Sequence, residues 1–425
     1  MQHSVSGEES PRLIAVLTAQ NVDRLRQPIA GVSAMSRILI EASLAGVREA
    51  VIAADDPGGL VGEVAAELRR AGSELMVAWV PLSSVRSEIC GRAAGQALVL
   101  TGSAIVRAGA LQRLCAVRDL PCALEHDGQL VAARLQTGGL AELAQRDGWP
   151  SLNCFPQGQR MIAAGEDVLP LDQLALASRR LLKSTGKATD GLVSRFLNRP
   201  VSQAISGVML RHIKGLRPIH ATGGTLVGAL AMFAALALGG HPGLVLGCLL
   251  FHFTSMFDGV DGEIARATYR SSQRGAALDT AVDMATNLLF ALGLTLAIHR
   301  TYGAHLTTIA GLAFAGLLLG VVLMSLVVSR SGGGGSFDVL KAHYAGRLSR
   351  GVGPSIVLFF KTITSRDFFA FLFAALAVLG LAKSIPWFLL VGAGLWLTFI
   401  VGSAPMALVI SRLQPAPLPA PANEK

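Results

Sequence analysis

From about residue 219 to residue 410 the chain carries six apolar runs of bilayer-crossing length, at about 219–239, 242–262, 277–299, 306–329, 367–383 and 385–410. A helix needs about 20 apolar residues to cross the hydrocarbon core, where its backbone polar groups must be satisfied internally. That requirement predicts an all-α, six-helix transmembrane bundle for this part. Residues 1 to about 215 carry mixed charge and only short apolar runs, so they are expected to fold in water. The composition, 52% hydrophobic and only 15% charged over 425 residues, reflects that uneven division.

The net charge of +9 has its source in the loops. One set of connecting segments carries Arg211, Lys214, Arg217, Arg266, Arg270, Arg274, Arg330, Lys341, Arg347, Arg350, Lys361, Arg366 and Arg412, and the opposite set only Arg300 and Lys383. Basic residues collect on the cytoplasmic side of membrane proteins. The expectation is a multi-pass protein of the cell inner membrane, with both termini and the N-terminal domain in the cytoplasm. Nucleic acid is excluded as a partner, because basic clusters interleaved with aromatics are missing and aromatics make up only 6% of the chain. Cys90, Cys115, Cys122, Cys154 and Cys248 form no CxxC pair, which suggests reduced thiols. The first residues lack the basic start and long apolar run of a secretory signal.

The N-terminal half alternates buried strands with amphipathic helices. LIAVLTA (13–19), EAVIAAD (49–55), LMVAWV (75–80) and ALVLTG (97–102) read as parallel strands. SAMSRILIEASLAGV (33–47) and GEVAAELRRAG (62–72) read as helices between them, and LDQLALASRRLLKS (171–184) as a helix leaving the domain. This order predicts a doubly wound α/β domain. Residues 185–217 are amphipathic and basic, as expected of a helix on the membrane surface.

Against this apolar background, FDGVDGEIARATYRSSQRGAALDTAVD (257–283) is anomalous. Asp258 and Asp261 are three apart at the end of the second run, and Asp279 and Asp283 four apart at the start of the third. On helices each pair shares a face, and the short connection makes the two helices antiparallel neighbours. Four converging carboxylates repel one another and are costly to desolvate. Divalent cations resolve that conflict, and hard oxygen ligands suit Mg²⁺ or Mn²⁺. Gly262 and Gly275 allow close approach, and Arg266 can grip a phosphate with two parallel hydrogen bonds. An ion-coupled transporter would distribute its charges near several midplanes, whereas these acids gather at one interface.

The spacing Asp258-x-x-Asp261-Gly262-x-x-Ala265-Arg266, eight residues, Gly275-x-x-x-Asp279-x-x-x-Asp283 resembles the signature of the CDP-alcohol phosphotransferase family at all eight fixed positions. The resemblance implies displacement of CMP from a CDP-alcohol, such as CDP-diacylglycerol, by an alcohol or alcohol-phosphate acceptor. It implies Asp258, Asp261 and Asp279 as ligands of two Mg²⁺ or Mn²⁺ ions, with Asp283 joining them or acting as catalytic base. Gly262, Ala265, Arg266 and Gly275 would hold the cytidine diphosphate. The family's Pro-Asn-x-x-Thr is blurred here to Pro218-Ile219 and Thr222. KATDGLVSRFLNRPVSQAIS (187–206) resembles the connector of fusions between inositol-1-phosphate cytidylyltransferase and di-myo-inositol phosphate phosphate synthase. Arg195 and Arg199 there, and Arg347 and Arg350 after the glycine run SRSGGGGS, are candidates for acceptor binding. A homodimer embedded in the lipid bilayer is expected.

In those fusions the first domain is a nucleotidyltransferase. Here TAQNVDRLRQP contains no glycine to cradle a triphosphate, and Ser103 stands where a metal-binding aspartate is expected. The expected organisation is a degenerate nucleotidyltransferase-like domain (1–180), a connector with an interfacial helix (181–217), the transferase domain (218–412) and a disordered tail (413–425). The alternative is a bifunctional enzyme whose first domain also makes the CDP-alcohol from CTP.

Overall fold

The computed structural model describes residues 13–18, 22–54, 58–84, 87–88, 95–117, 119–127, 129–136, 160–163, 167–187, 190–330 and 365–413. The chain divides into two compact units. One comprises Met1–Thr185 with Gly207–Leu216 and Ala265–Arg270; the other comprises Gly186–Ser206, Arg217–Ile264 and Ser271–Lys425.

The first unit is an α/β domain. Its strands are β1 (Leu13–Thr18), β2 (Pro28–Ile29), β3 (Val32–Ser33), β4 (Glu49–Ala53), β5 (Met76–Val80), β6 (Gln96–Leu100), β7 (Ala104–Val106), β8 (Cys122–His126), β9 (Gln129–Gln136), β10 (Arg160–Ala163) and β11 (Val168–Pro170). Seven of them form one sheet in the order β10-β8-β9-β6-β1-β4-β5. The β1–β4, β1–β6 and β4–β5 pairs are parallel, as the alternation of strands and helices predicts, whereas β9 runs antiparallel to β6 and β8. The continuous apolar strands are explained by burial on both faces. Ala15, Leu17, Ala50, Ile52, Leu98 and Leu100 enter one cluster, and their alternates Ile14, Val16, Val51, Ala53, Ala97 and Val99 the other.

The helices α1 (Val22–Arg26), α2 (Ala34–Leu44), α3 (Leu60–Arg70), α4 (Ala108–Ala116) and α5 (Leu174–Ser184) punctuate the sheet. In α3 the buried residues Leu60, Val64 and Leu68 recur every four, the stripe of a helix covering a core. Among the described residues all of these helices contribute to the first cluster, so the doubly wound arrangement is seen from one face only.

The described residues after α5 are mostly helical, and most of them belong to the second unit. After a π-helical turn at Ser194–Asn198 come α6 (Arg199–His212), α7 (Pro218–Leu238), α8 (Gly240–Ala267), α9 (Gln273–Tyr302), α10 (Ala304–Arg330), α11 (Arg366–Val378) and α12 (Ile385–Leu413). Among the described residues five stretches, in α7, α8, α9, α10 and the region Ala382–Gly402, are long and apolar enough to cross a membrane. The expected count of six is corrected on this point. The run at 367–383 forms only the 13-residue helix α11, about 20 Å long at 1.5 Å per residue, and a bend at Gly380, with φ +75°, ends it before α12. Arg347, Arg350, the glycine run and the Pro/Ala-rich tail lie outside the described residues.

Large apolar side chains such as Val227, Leu238 and Val391 stay more than half exposed, which suits helices solvated by lipid. The interior is held by close approach and by stacked rings. A Cβ at Gly224 would fall 2.7 Å from the Phe257 ring, and one at Gly228 2.9 Å from Thr254 Oγ1, so α7 and α8 meet through small residues. Phe290 of α9 stacks on Phe251 of α8 with centroids 4.0 Å apart, and on Phe373 of α11 at 5.5 Å. These contacts fix the relative rotation of the helices that carry the acids.

Candidate metal centre and its supports

Because α8 remains helical past its apolar run, Asp258 and Asp261 lie in its last turns; Asp279 and Asp283 lie in the first turns of α9. Carboxylate oxygens of Asp258, Asp279 and Asp283 all lie within 4.8 Å of one another. Asp261, only 6% exposed, accepts a hydrogen bond from Thr222 Oγ1 of α7 at 2.6 Å and is within side-chain hydrogen-bonding reach of Asp279. The four aspartates singled out from the sequence are thus together.

The cluster has a fixed cation that the sequence reading counted only towards topology. Arg366, the first residue of α11, pairs with Asp258 at 2.8 Å through Nη2 and with Asp283 through Nη1. Ser365 caps α11 by accepting from Phe368 N, and the neighbouring Asp367 accepts from Ser255 of α8 at 2.7 Å. A Ser-Arg-Asp triplet at the mouth of an apolar helix was the available signal. One guanidinium against three closely spaced carboxylates leaves negative charge in excess. Oxygen-only donors at this separation fit a hard divalent cation.

A second arrangement supports the helix behind the aspartates. Glu263 of α8 is fully buried and accepts from Ser202 Oγ at 2.6 Å, Ser206 Oγ at 2.6 Å and Arg199 Nη1 at 3.0 Å. Arg199 donates with Nε and Nη2 to Asp190, at 2.8 and 3.1 Å. Burial disfavours the charge on both partners, yet the two-pronged pairing outweighs it. Asp190 is held below the ordinary carboxylate range and Arg199 above its ordinary value. Gly259 makes room, since a Cβ there would lie 3.1 Å from Arg199 Nη1. Glu263 occupies one of the variable positions of the motif, which is why the spacing did not single it out.

The remaining candidates are placed as follows. Gly262 and Ala265 are half-buried on α8. Arg266 directs Nε to the Thr185 carbonyl at 2.7 Å. Gly275 donates its N–H to Ser272 Oγ at 3.0 Å, as part of the N-cap of α9. The Arg195 guanidinium lies 5.7 Å from the centre of the Phe196 ring. In the α/β unit Ser103 is exposed just after β6, with its hydroxyl 2.7 Å from Thr101 Oγ1.

The family described as CDP-alcohol phosphatidyltransferase matches residues 221–402. The chain is also similar to proteins named bifunctional IPC transferase and DIPP synthase. It is 32% identical to the one from Archaeoglobus fulgidus over 149 residues, which cover 34% of this chain and 28% of the relative. It is 34% identical to the one from Aquifex aeolicus over 137 residues, or 32% of this chain and 30% of the relative. The chain spans less than a third of the length of either relative. The motif, the apolar helices and the family match agree: the C-terminal part of this chain, residues 221–402, is a CDP-alcohol phosphatidyltransferase domain.

Proposed function

We propose that the protein is a multi-pass membrane CDP-alcohol phosphotransferase that moves a phosphoalcohol or phosphatidyl group from a CDP-alcohol to an alcohol acceptor and releases CMP. The observation that carries this reading is the meeting of Asp258, Asp279 and Asp283 within 4.8 Å at adjoining helix ends. These residues, with Asp261, would hold Mg²⁺ or Mn²⁺, in a two-ion site. Bound there, the cations would neutralise the diphosphate and stabilise CMP as it leaves. Asp283 orients the acceptor hydroxyl and takes its proton as the oxygen bonds to the β-phosphorus and the bond to CMP breaks. Arg366 holds Asp258 and Asp283 in place. Gly262, Ala265, Arg266 and Gly275 are assigned to the cytidine diphosphate by motif position. Arg195 is a candidate for the acceptor, and Arg199 serves it indirectly, because its donors are engaged by Asp190 and Glu263.

CDP-diacylglycerol or a soluble CDP-alcohol would serve as donor. The names of the relatives favour inositol phosphate over glycerol phosphate or a lipid alcohol as acceptor. The distribution of Lys and Arg supports a cytoplasmic N-terminal domain and an inner-membrane location; a homodimer rests on the resemblance alone. Purified protein is expected to release CMP with one donor–acceptor pair from a panel of these compounds. The release should require Mg²⁺ or Mn²⁺ and stop with chelator. Metal-independent release, or none with any pair, would overturn the reading.

The α/β domain is assigned a regulatory or scaffolding role without nucleotidyl transfer. A hydroxyl at Ser103 cannot replace a metal-binding carboxylate, and the segment TAQNVDRLRQP, which contains α1, lacks the glycines that would cradle a triphosphate. Full-length protein given CTP, Mg²⁺ and alcohol phosphates is therefore expected to release no pyrophosphate. Release that depends on an alcohol phosphate would instead establish the bifunctional enzyme, the reading that the relatives' two-part name favours.

A further inference from the structure

Arg37 of α2 is the largest fully buried side chain among the described residues. A buried guanidinium is costly unless its donors find acceptors, and the acceptors here are mostly backbone. Nε and Nη2 donate to the Ile29 carbonyl at 2.8 and 2.6 Å. Nη2 also donates to the carbonyls of Ala30, at 3.0 Å, and Ala267, at 2.7 Å. The guanidinium carbon lies 5.3 Å from the centre of the Tyr269 ring. One turn along α2, Glu41, only 2% exposed, accepts the Tyr269 hydroxyl at 2.6 Å, the Ala108 N–H at 2.7 Å and Arg107 Nε at 3.2 Å.

Two residues of α2, placed one helical turn apart, therefore grip the turn Ala265–Arg270 at its backbone and at its aromatic ring. The turn needs such a grip. Tyr269 has φ +55°, a left-handed conformation that a bulky residue adopts only when its surroundings enforce it. Burial pushes the Tyr269 phenol up to about 12, so the hydroxyl remains a donor at neutral pH. A Cβ at Gly31 would come within 3.5 Å of Thr268 Cγ2, so the chain between β2 and β3 also lies close against this turn. Arg270 closes the turn with Nη1 on the Leu216 carbonyl at 2.8 Å. Its opening residues are Ala265 and Arg266, the last two fixed positions of the first half of the motif.

We propose that Arg37, Glu41 and Tyr269 are positioning residues for the CDP-donor: they hold the Ala265–Arg270 turn so that Arg266 presents a fixed guanidinium to the diphosphate. The proposal rests on the function proposed above. It gives the α/β domain a task that does not need a nucleotidyltransferase site of its own. Loosening the grip should cost affinity for the donor while the acceptor and the chemical step are little affected.

The test uses full-length protein in detergent, with kcat and both KM values read from CMP release and with Tm measured in parallel. Tyr269→Phe keeps the ring beneath Arg37 and removes the hydroxyl with its bonds to Glu41 and Arg37; Glu41→Gln weakens the first of these bonds from the other side. In both variants the donor KM is expected to rise about tenfold, the effect of one bond to a charged group. The acceptor KM and kcat should stay within about twofold, and Tm should fall by no more than about 4 °C. An unchanged donor KM in both folded variants would overturn the proposal. So would a joint loss in kcat and both KM values, because that is the signature of a merely structural defect. A wild type that releases no CMP would sink the function and this proposal together, whereas wild-type turnover with an unmoved donor KM sinks the positioning role alone.

Discussion

Asp258→Asn is expected to abolish CMP release, with a loss of roughly a thousandfold or more in kcat. Asparagine keeps the shape of aspartate and can still accept from Arg366 Nη2, which now reaches Asp258 at 2.8 Å. What disappears is one negative charge from a group of three carboxylates whose oxygens lie within 4.8 Å. Charge stabilisation of a phosphoryl-transfer transition state by metal supplies several kcal/mol, and each 1.4 kcal/mol is about tenfold in rate. The fold should survive, since replacing one crowded carboxylate by an amide relieves repulsion. Expression, Tm and CMP release across a range of Mg²⁺ and Mn²⁺ concentrations check this. Full turnover by the variant would remove Asp258 from the metal site, and recovery only at high metal would place the defect in metal binding.

Glu263→Ala is expected to have the largest effect on stability of any single substitution at the buried ionic groups described here. The glutamate is completely buried and serves three donors at once, two serine hydroxyls and a guanidinium. Its removal leaves Ser202 and Ser206 without that acceptor and strands part of the charge on Arg199, whose side chain is only 12% exposed. Breaking a buried ion pair from one side costs about 3–5 kcal/mol. For a domain of this size that corresponds to a fall in Tm of roughly 10 °C. Glu263→Gln, which keeps the acceptor oxygen for one serine, should fall between wild type and alanine. If alanine left Tm unchanged, the clamp would have no part in holding α8 to α6.

How much of this could be read in advance follows from the distance along the chain over which each feature is encoded. The strands β1, β4 and β6 were legible because parallel strands buried on both faces are apolar throughout, and that pattern is local. So were the helical runs and the converging aspartates, because spacings of three and four residues define a helix face wherever the helix packs. The span expected at 367–383 failed for a physical reason. Hydropathy alone cannot register the break at Gly380, where a left-handed backbone ends α11 after 13 residues.

The supports of the site were hidden by sequence distance. Arg366 meets Asp283 across 83 positions, Ser202 meets Glu263 across 61, and Arg37 meets the Ala267 carbonyl across 230. In the sequence Arg37, Ser202 and Glu263 read as ordinary polar or charged residues, and Arg366 only added to the positive balance of a loop. The sequence by itself determined most of the long apolar helices, the α/β alternation and the four carboxylates, because hydropathy and helical periodicity are properties of neighbouring residues. Only the tertiary structure decided which cations and hydroxyls those acids would meet. Burial makes an unpaired charge too costly to keep, and partners that satisfy it come from whichever helices the packing brings alongside.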